Sequence, residues 1–526
     1  MHWLFIFFFI TILGNNINAS SKEIELVIDQ AIDQVNKVNL SIVEIDNIVN
    51  ETLTKFNVPG LSISIVFDDD VILSKGYGFC DLAQKLPVTE HTLFLIGSCT
   101  KAFTAAALCS LAEEGKVALD DVVQKYIPEF FIVDHERTAD LTIRDLLAHR
   151  TGIARYDPVW IYSQPPRTSI IELLKYFEPA CALREKFQYN SFMYTLAGII
   201  IERITNDTWE EFISSRIFKP LAMNNSLVSL EHTPHSDNFS LPYAQINGIN
   251  TSIPFFKTSC INPSGGIISS ARDMANWLKW HINTSCLTTN IVSRRVLKEA
   301  YTIQIPLPIP YEEEKVYYHS GYGLGWFIGK YRGYNFVSHN GDIDGFSSEL
   351  AFIPEKKIGL VILTNSSTNG HYAIATIKNQ LFDKILGVKE VNWLNKMQEK
   401  YLKTKNSLEK NLNNFQDNCL IPYNESLEPY VGVYAHPAYG KVVLKMEDNN
   451  LTLIYGKIKT AIYYKEENLF EGLISTLLHY ETNPISSYKF FKDASGSIYK
   501  LEIPFEQFRS AKPITFLRLN TEDSEL

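Results

Sequence analysis

What the chain lacks narrows its function before any motif is read. No run of lysine or arginine is long enough to track a phosphate backbone, and the net charge is −10, which sets aside nucleic acid and anionic membrane as partners. The seven cysteines (Cys80, Cys99, Cys109, Cys181, Cys260, Cys286 and Cys419) show neither the density of a disulfide scaffold nor the CxxC spacing of a zinc site. Their odd number leaves at least one unpaired within a monomer, and Cys99 and Cys109 are expected in a helix as small core residues. After the first few residues no apolar stretch is long enough to span a bilayer, so no stable membrane insertion is expected there. There is no internal repeat.

What is present is a globular composition, 45% hydrophobic and 21% charged, in 526 residues, which is long enough for a large domain and a smaller one. The apolar run Trp3 to Leu13 is too short to cross a membrane and reads as a signal peptide, residues 1–19, cut after Ala19. Only His2 stands ahead of it in place of a Lys or Arg, so an uncleaved anchor is the alternative. Glycosylation acceptors begin at Asn39, Asn50, Asn206, Asn224, Asn238, Asn250, Asn283, Asn365, Asn424 and Asn450. A secreted protein is the expectation. The final Glu525-Leu526, shared with the endoplasmic-reticulum retrieval signal, keeps the lumen of that compartment as a second location.

Helical spacing runs over Glu23 to Lys37 and Ile42 to Phe56, the first within an N-terminal extension of residues 20–41. A hairpin follows, Leu61 to Phe67 and Val71 to Gly76 around Asp68-Asp69-Asp70. Ser98 to Glu114 is rich in Ala and Leu and stops at Gly115, which predicts a long buried helix with Ser98 at its start. The stretch Val117 to Tyr318 reads as mainly helical. Gly325 to Tyr331, Tyr334 to His339, Glu349 to Ile353 and Ile358 to Thr364 then read as a meander of strands, and His371 to Leu386 as a helix that covers it. These elements predict a domain over residues 42–388, an α/β (α+β) fold with an antiparallel sheet flanked by helices. A polar linker, residues 389–420, leads to a β-rich domain, residues 421–526, whose short alternating runs suggest a barrel or sandwich.

A serine hydroxyl needs a base, and a lysine three residues on along a helix lies one turn away on the same face. Ser98 and Lys101 meet that need. The spacing alone is weak: Ser407-Lys410, Ser486-Lys489 and Ser497-Lys500 share it, but the first lies in the polar linker and the others in strand-like runs where i and i+3 face opposite sides. Burial and a neighbouring cation would lower the Lys101 pKa and leave it neutral for part of the time.

With Gly97-Ser98-Cys99-Thr100-Lys101 in place, the chain resembles the serine β-lactamases and penicillin-binding proteins, above all the class C β-lactamases and the related esterases and D-amino-acid peptidases. Thr142 to Ile153, Pro263 to Asp273 and Gly321 to Trp326 resemble further segments of that family. The resemblance implies that Tyr189 in Tyr189-Asn190-Ser191 shares protons with Lys101, with Ser191 standing where a substrate-contacting Asn is usual. It also implies that His339-Asn340-Gly341, on an edge strand, is the third element, in preference to His319-Ser320-Gly321. Gly341 would leave room for substrate, and the Asp342 N–H would pair with that of Ser98 as the oxyanion site. The Asp342 carboxylate is unusual there; it either points to solvent, the preferred reading, or favours substrates carrying an amine. Tyr430 to Tyr434, with Phe490 to Gly496, resembles the lipocalin-like β-domain appended to some of these hydrolases.

The reading is therefore a secreted serine hydrolase that opens a small ester, amide or peptide bond through a Ser98 acyl-enzyme, with no metal or organic cofactor implied. The alternative is a non-catalytic binding or matrix protein that retains the fold.

Overall fold

The structure is a computed structural model that describes residues 40–230, 238–282, 291–309, 316–367, 369–418, 425–473, 485–505 and 512–520. The leader, the Glu23 to Lys37 helix, Cys286 and Cys419 lie outside the described residues.

At the centre of the larger, N-terminal domain, Gly60–Phe67 and Ile358–Thr364 pair antiparallel from Leu61 opposite Thr364 to Phe67 opposite Ile358. Ile358–Thr364 is apolar throughout because it is covered on both sides. Leu360 and Ile362, with Leu61, Ile63 and Ile65, face a core built by Ile42–Phe56 and Gly370–Ile385. Val361 and Leu363 face the other way, toward Trp277 and Leu278 of the helix Ala271–Ile282. The sheet has nine strands, in the order Leu86–Pro87, Asp70–Asp81, Gly60–Phe67, Ile358–Thr364, Phe346–Ile353, Tyr334–Ile343, Phe327–Tyr331, Tyr317–Tyr322 and Ile305–Pro306. Ile42–Phe56 carries its apolar residues at i, i+3 and i+4 and opens on a capping box between Ser41 and Glu44.

Two strand expectations change. The strand of His339 runs on through Ile343: Phe346–Ile353 pairs with it from Val337 to Ile343, whereas Phe327–Tyr331 pairs only with Tyr334 to Ser338, so His339 to Ile343 have no strand partner on that side, as expected of an edge. His319, expected in a loop, lies in the strand Tyr317–Tyr322. Much of the expected linker is a 26-residue helix, Trp393–Asn418. Leu394, Met397 and Tyr401 anchor its first turns on the outer core, and Phe415 reaches Tyr463 of the second domain. Asn365 is buried and its amide donates to the Phe79 carbonyl, so that acceptor site is not at the surface.

The C-terminal domain is a closed eight-stranded barrel in which Gly432–His436 pairs with both Gly440–Glu447 and Ile514–Arg518. Closure removes the exposed edges of a sheet, and inward side chains such as Tyr434, Leu453, Phe470 and Phe516 fill the interior. The barrel docks on residues 156–163 of the larger domain. The Ser163 hydroxyl donates to the Tyr439 carbonyl at 2.6 Å, and the rings of Tyr162 and Tyr455 lie 5.3 Å apart. Gly456 has φ +55°, and a Cβ there would stand 2.2 Å from the Tyr162 carbonyl oxygen. Gly456→Ala is therefore expected to destabilise the protein by about 1–3 kcal/mol through left-handed strain and overpacking. Ser163→Ala should cost less, about 1 kcal/mol, for the lost hydrogen bond. Denaturant melts of the two variants check the order.

Candidate active site

Ser98 sits in a single 3₁₀ turn, Gly97–Cys99, and the α-helix proper begins one residue later, at Thr100–Glu113. Gly97 has φ +49°, and a Cβ on it would lie 2.9 Å from the Asp342 nitrogen. The turn thus needs glycine both for its conformation and for the approach of the neighbouring strand. The helix is buried from Thr100 to Leu111, which explains a composition of Ala, Leu and small polar residues with no exposed stripe. Thr104 donates to the Pro263 carbonyl, Phe103 stacks on Trp277 at 3.8 Å, and Gly325 lets its loop come against Ala102.

Lys101 is fully buried, and its Nζ lies 3.0 Å from the Ser98 Oγ and 3.0 Å from the Ser264 carbonyl oxygen. Burial, and after it the charge of Arg155, holds its pKa well below the usual lysine value. The Tyr189 hydroxyl donates to the same Ser98 oxygen at 2.7 Å. Burial pushes the Tyr189 pKa up, so the phenol is protonated at rest. Tyr189 is placed by the next residue: Asn190 caps the helix Ser191–Thr205 by accepting from Phe192 N at 2.8 Å, and its amide donates to the Ala154 carbonyl. Ser191 is the first residue of that helix and is buried.

His339 is buried, and its pKa falls to about 3 because of burial and the charge of Lys101, so the ring is neutral. Its Nδ1 lies 2.6 Å from the Asn340 carbonyl, which can only accept, so Nδ1 carries the hydrogen. Nε2 then accepts from the Tyr322 hydroxyl at 3.0 Å. His339 stands beside Tyr189, with ring centroids 6.5 Å apart, and its two nitrogens are taken by these partners rather than by Ser98. The rival His319 is bonded instead to Ser338 and Tyr317.

Alternation along the strand puts Asn340 and Asp342 together on its exposed side, where the Asn340 amide donates to the Asp342 carboxylate at 2.9 Å. The Ser347 hydroxyl donates to the other carboxylate oxygen. Gly341 is also required for packing: a Cβ there would meet the Ile96 carbonyl oxygen at 2.0 Å. Its missing side chain lets the strand close on the turn that carries Ser98. Ser348 donates to the same Ile96 oxygen, and the Cys99 thiol donates to the His339 carbonyl.

Two neighbours went unrecognised as site residues in the sequence. His149 is buried in a left-handed conformation, φ 54°, with Nδ1 accepting from the Asn190 N–H and its ring 4.3 Å from that of Tyr189. Its signal was the Thr142 to Ile153 segment. Arg155 places its guanidinium carbon 4.8 Å from the Tyr189 ring centroid. The five free cysteines among the described residues, Cys80, Cys99, Cys109, Cys181 and Cys260, include both that were expected in the nucleophile helix.

The Beta-lactamase family matches residues 45–382, more than half of the chain. The chain belongs to the β-lactamase family. This β-lactamase-family protein is similar to an unguisins hydrolase of Aspergillus violaceofuscus, 28% identical over 422 residues and 74% of each chain. It is also similar to the protein flp of Staphylococcus aureus, 29% identical over 319 residues, 59% of this chain and 60% of the other. Among solved structures, the octameric penicillin-binding protein homologue from Pyrococcus abyssi is 24% identical with a TM-score of 0.59, covering 91% of this chain and all of its own. A D-stereospecific amidohydrolase from Streptomyces shares the fold at 22% identity and a TM-score of 0.55, over 65% of this chain and 98% of its own. The family is one of serine hydrolases.

Proposed function

We propose that the protein is a secreted serine hydrolase that opens an ester or amide bond through an acyl-enzyme on Ser98. The observation that carries this reading is the meeting of three side chains: a buried lysine whose two acceptors are a hydroxyl and a carbonyl, and a tyrosine hydroxyl, both on one serine oxygen. Neutral Lys101 takes the Ser98 proton as Oγ attacks the substrate carbonyl. The backbone N–H groups of Ser98 and Asp342 receive the oxyanion, and Tyr189 passes a proton to the leaving group. His339 and Tyr322 hold the wall behind Tyr189, and Ser191 and Asn340 offer polar contacts to the bound substrate. Water then releases the acyl group. The unguisins hydrolases among its relatives support a hydrolytic reaction on a small molecule. The leader and the exposed acceptors Asn50, Asn206 and Asn224 support passage through the secretory route.

A fluorophosphonate probe tests the reading, with the adduct located by mass spectrometry on wild type and Ser98→Ala. Labelling at Ser98 that is absent from the variant is the expected result, and ester and D-amino-acid amide substrates would follow. A folded wild type that takes no label would overturn it in favour of the non-catalytic alternative.

A further inference from the structure

The segment that follows His149 carries a charge with a specific anchorage. Arg155 lies over the Tyr189 ring at 4.8 Å, and Lys101 Nζ approaches the same ring at 4.7 Å, so the tyrosine packs against both side chains. The Arg155 Nε donates to Asp157, a buried carboxylate whose other oxygen accepts from the Trp160 indole at 2.8 Å. One residue earlier, the Ala154 carbonyl accepts from Asn190, which follows Tyr189. The far end of the segment is held by the barrel through Ser163. Backbone and side chain of Arg155 are thus fixed separately, one to the element that carries Tyr189 and the other to a buried acid.

We propose that Arg155 is a positioning residue for acyl transfer: its guanidinium, fixed by Asp157, holds the Tyr189 ring so that its hydroxyl stays on the Ser98 oxygen, and supplies a permanent positive charge beside Lys101. The inference rests on the acyl-enzyme reading above. An arginine does not titrate in the working range, so its charge opposes a second positive charge on Lys101 at every pH where the enzyme acts. Asp157 acts in the opposite sense and more weakly. The other groups facing Lys101 are the phenols of Tyr189 and Tyr194, the Cys99 thiol, and the imidazoles of His149 and His339, which burial keeps neutral. Arg155 is the one permanent cation among them.

The rate of fluorophosphonate labelling at Ser98, measured against pH, reads this directly and needs no known substrate. For Arg155→Gln the acid limb of the profile is expected to move up by about one unit, because Lys101 holds its proton more tightly, and the plateau rate to fall about tenfold. Arg155→Lys keeps the charge and should restore the limb, but not the whole plateau, since an ammonium lacks the planar face. Asp157→Asn should move the limb the other way. Folded Arg155→Gln with an unmoved limb, or Arg155→Lys and Arg155→Gln shifted alike, would overturn the role of Arg155 while labelling at Ser98 stands. Absence of label on folded wild-type Ser98 would overturn the acyl-enzyme reading and this inference with it.

Discussion

Ser98→Ala, Lys101→Met and the variant carrying both are expected to lose the same factor in kcat, on the order of 10⁴- to 10⁶-fold, rather than the product of two separate losses. In the proposed mechanism Lys101 acts only by taking the Ser98 proton, and the Ser98 hydroxyl is inert without it, so removing either removes both. The geometry leaves no second base on the serine oxygen: its other partner, Tyr189, is a protonated phenol that donates to it. Turnover of one activated ester by the three proteins checks this, and multiplicative losses would contradict it. The same lysine should mark the stability curve. An unfolded lysine titrates near about 10.4, and the folded Lys101 well below that. Between the two values the unfolded chain holds a proton that the folded chain does not, so stability rises with pH across that window. The wild type should therefore gain on Lys101→Met in denaturant melts as the pH rises toward about 10, and parallel curves would count against a depressed Lys101.

Gly341→Ala is expected to lower kcat by about 10²- to 10³-fold, the size of a lost oxyanion donor, with a stability cost of about 1–3 kcal/mol. The added Cβ would fall 2.0 Å from the Ile96 carbonyl oxygen and 2.5 Å from the Ser348 Oγ, and neither can move without opening the contact between strand and nucleophile turn. The displaced backbone is that of the next residue, Asp342. Gly333→Ala is the comparison: it has φ +89° and nothing within 4 Å of a Cβ, so it should cost about 1 kcal/mol in strain and leave turnover alone. Equal kcat in both variants would remove Asp342 from the oxyanion site.

The parts of this site that sequence could supply were those whose chemistry is local. Ser98 and Lys101 are one helical turn apart, and the Ala-rich run between Thr100 and Glu113 announces a helix buried on every side. The barrel was legible in its alternation and regular turns. Asn340-Gly341-Asp342 reads as the end of a strand because the residues are turn-like, yet the run continues to Ile343 because Phe346–Ile353 satisfies its backbone across the hairpin. How far that strand has a neighbour on its other side depends on Phe327–Tyr331, whose pairing stops at Ser338, which is a fact of topology. Arg155 carried no signal at all. Its place over Tyr189 follows from the Asn190 contact to Ala154 and the salt bridge to a residue two further on, neither of which leaves a period or a spacing in the chain.

The two halves of the catalytic turn are made at very different moments of synthesis. Ser98 and its helix emerge early, whereas the strand that closes on Gly97 and Ile96 comes only with residues 334–343, and the central pairing of Gly60–Phe67 waits for Ile358–Thr364. On the proposed acyl-enzyme reading, a nascent chain therefore carries its serine without the Asp342 N–H beside it until almost the whole domain has left the ribosome. Such distant pairing also makes folding slow, since the loop must close before its contacts stabilise it.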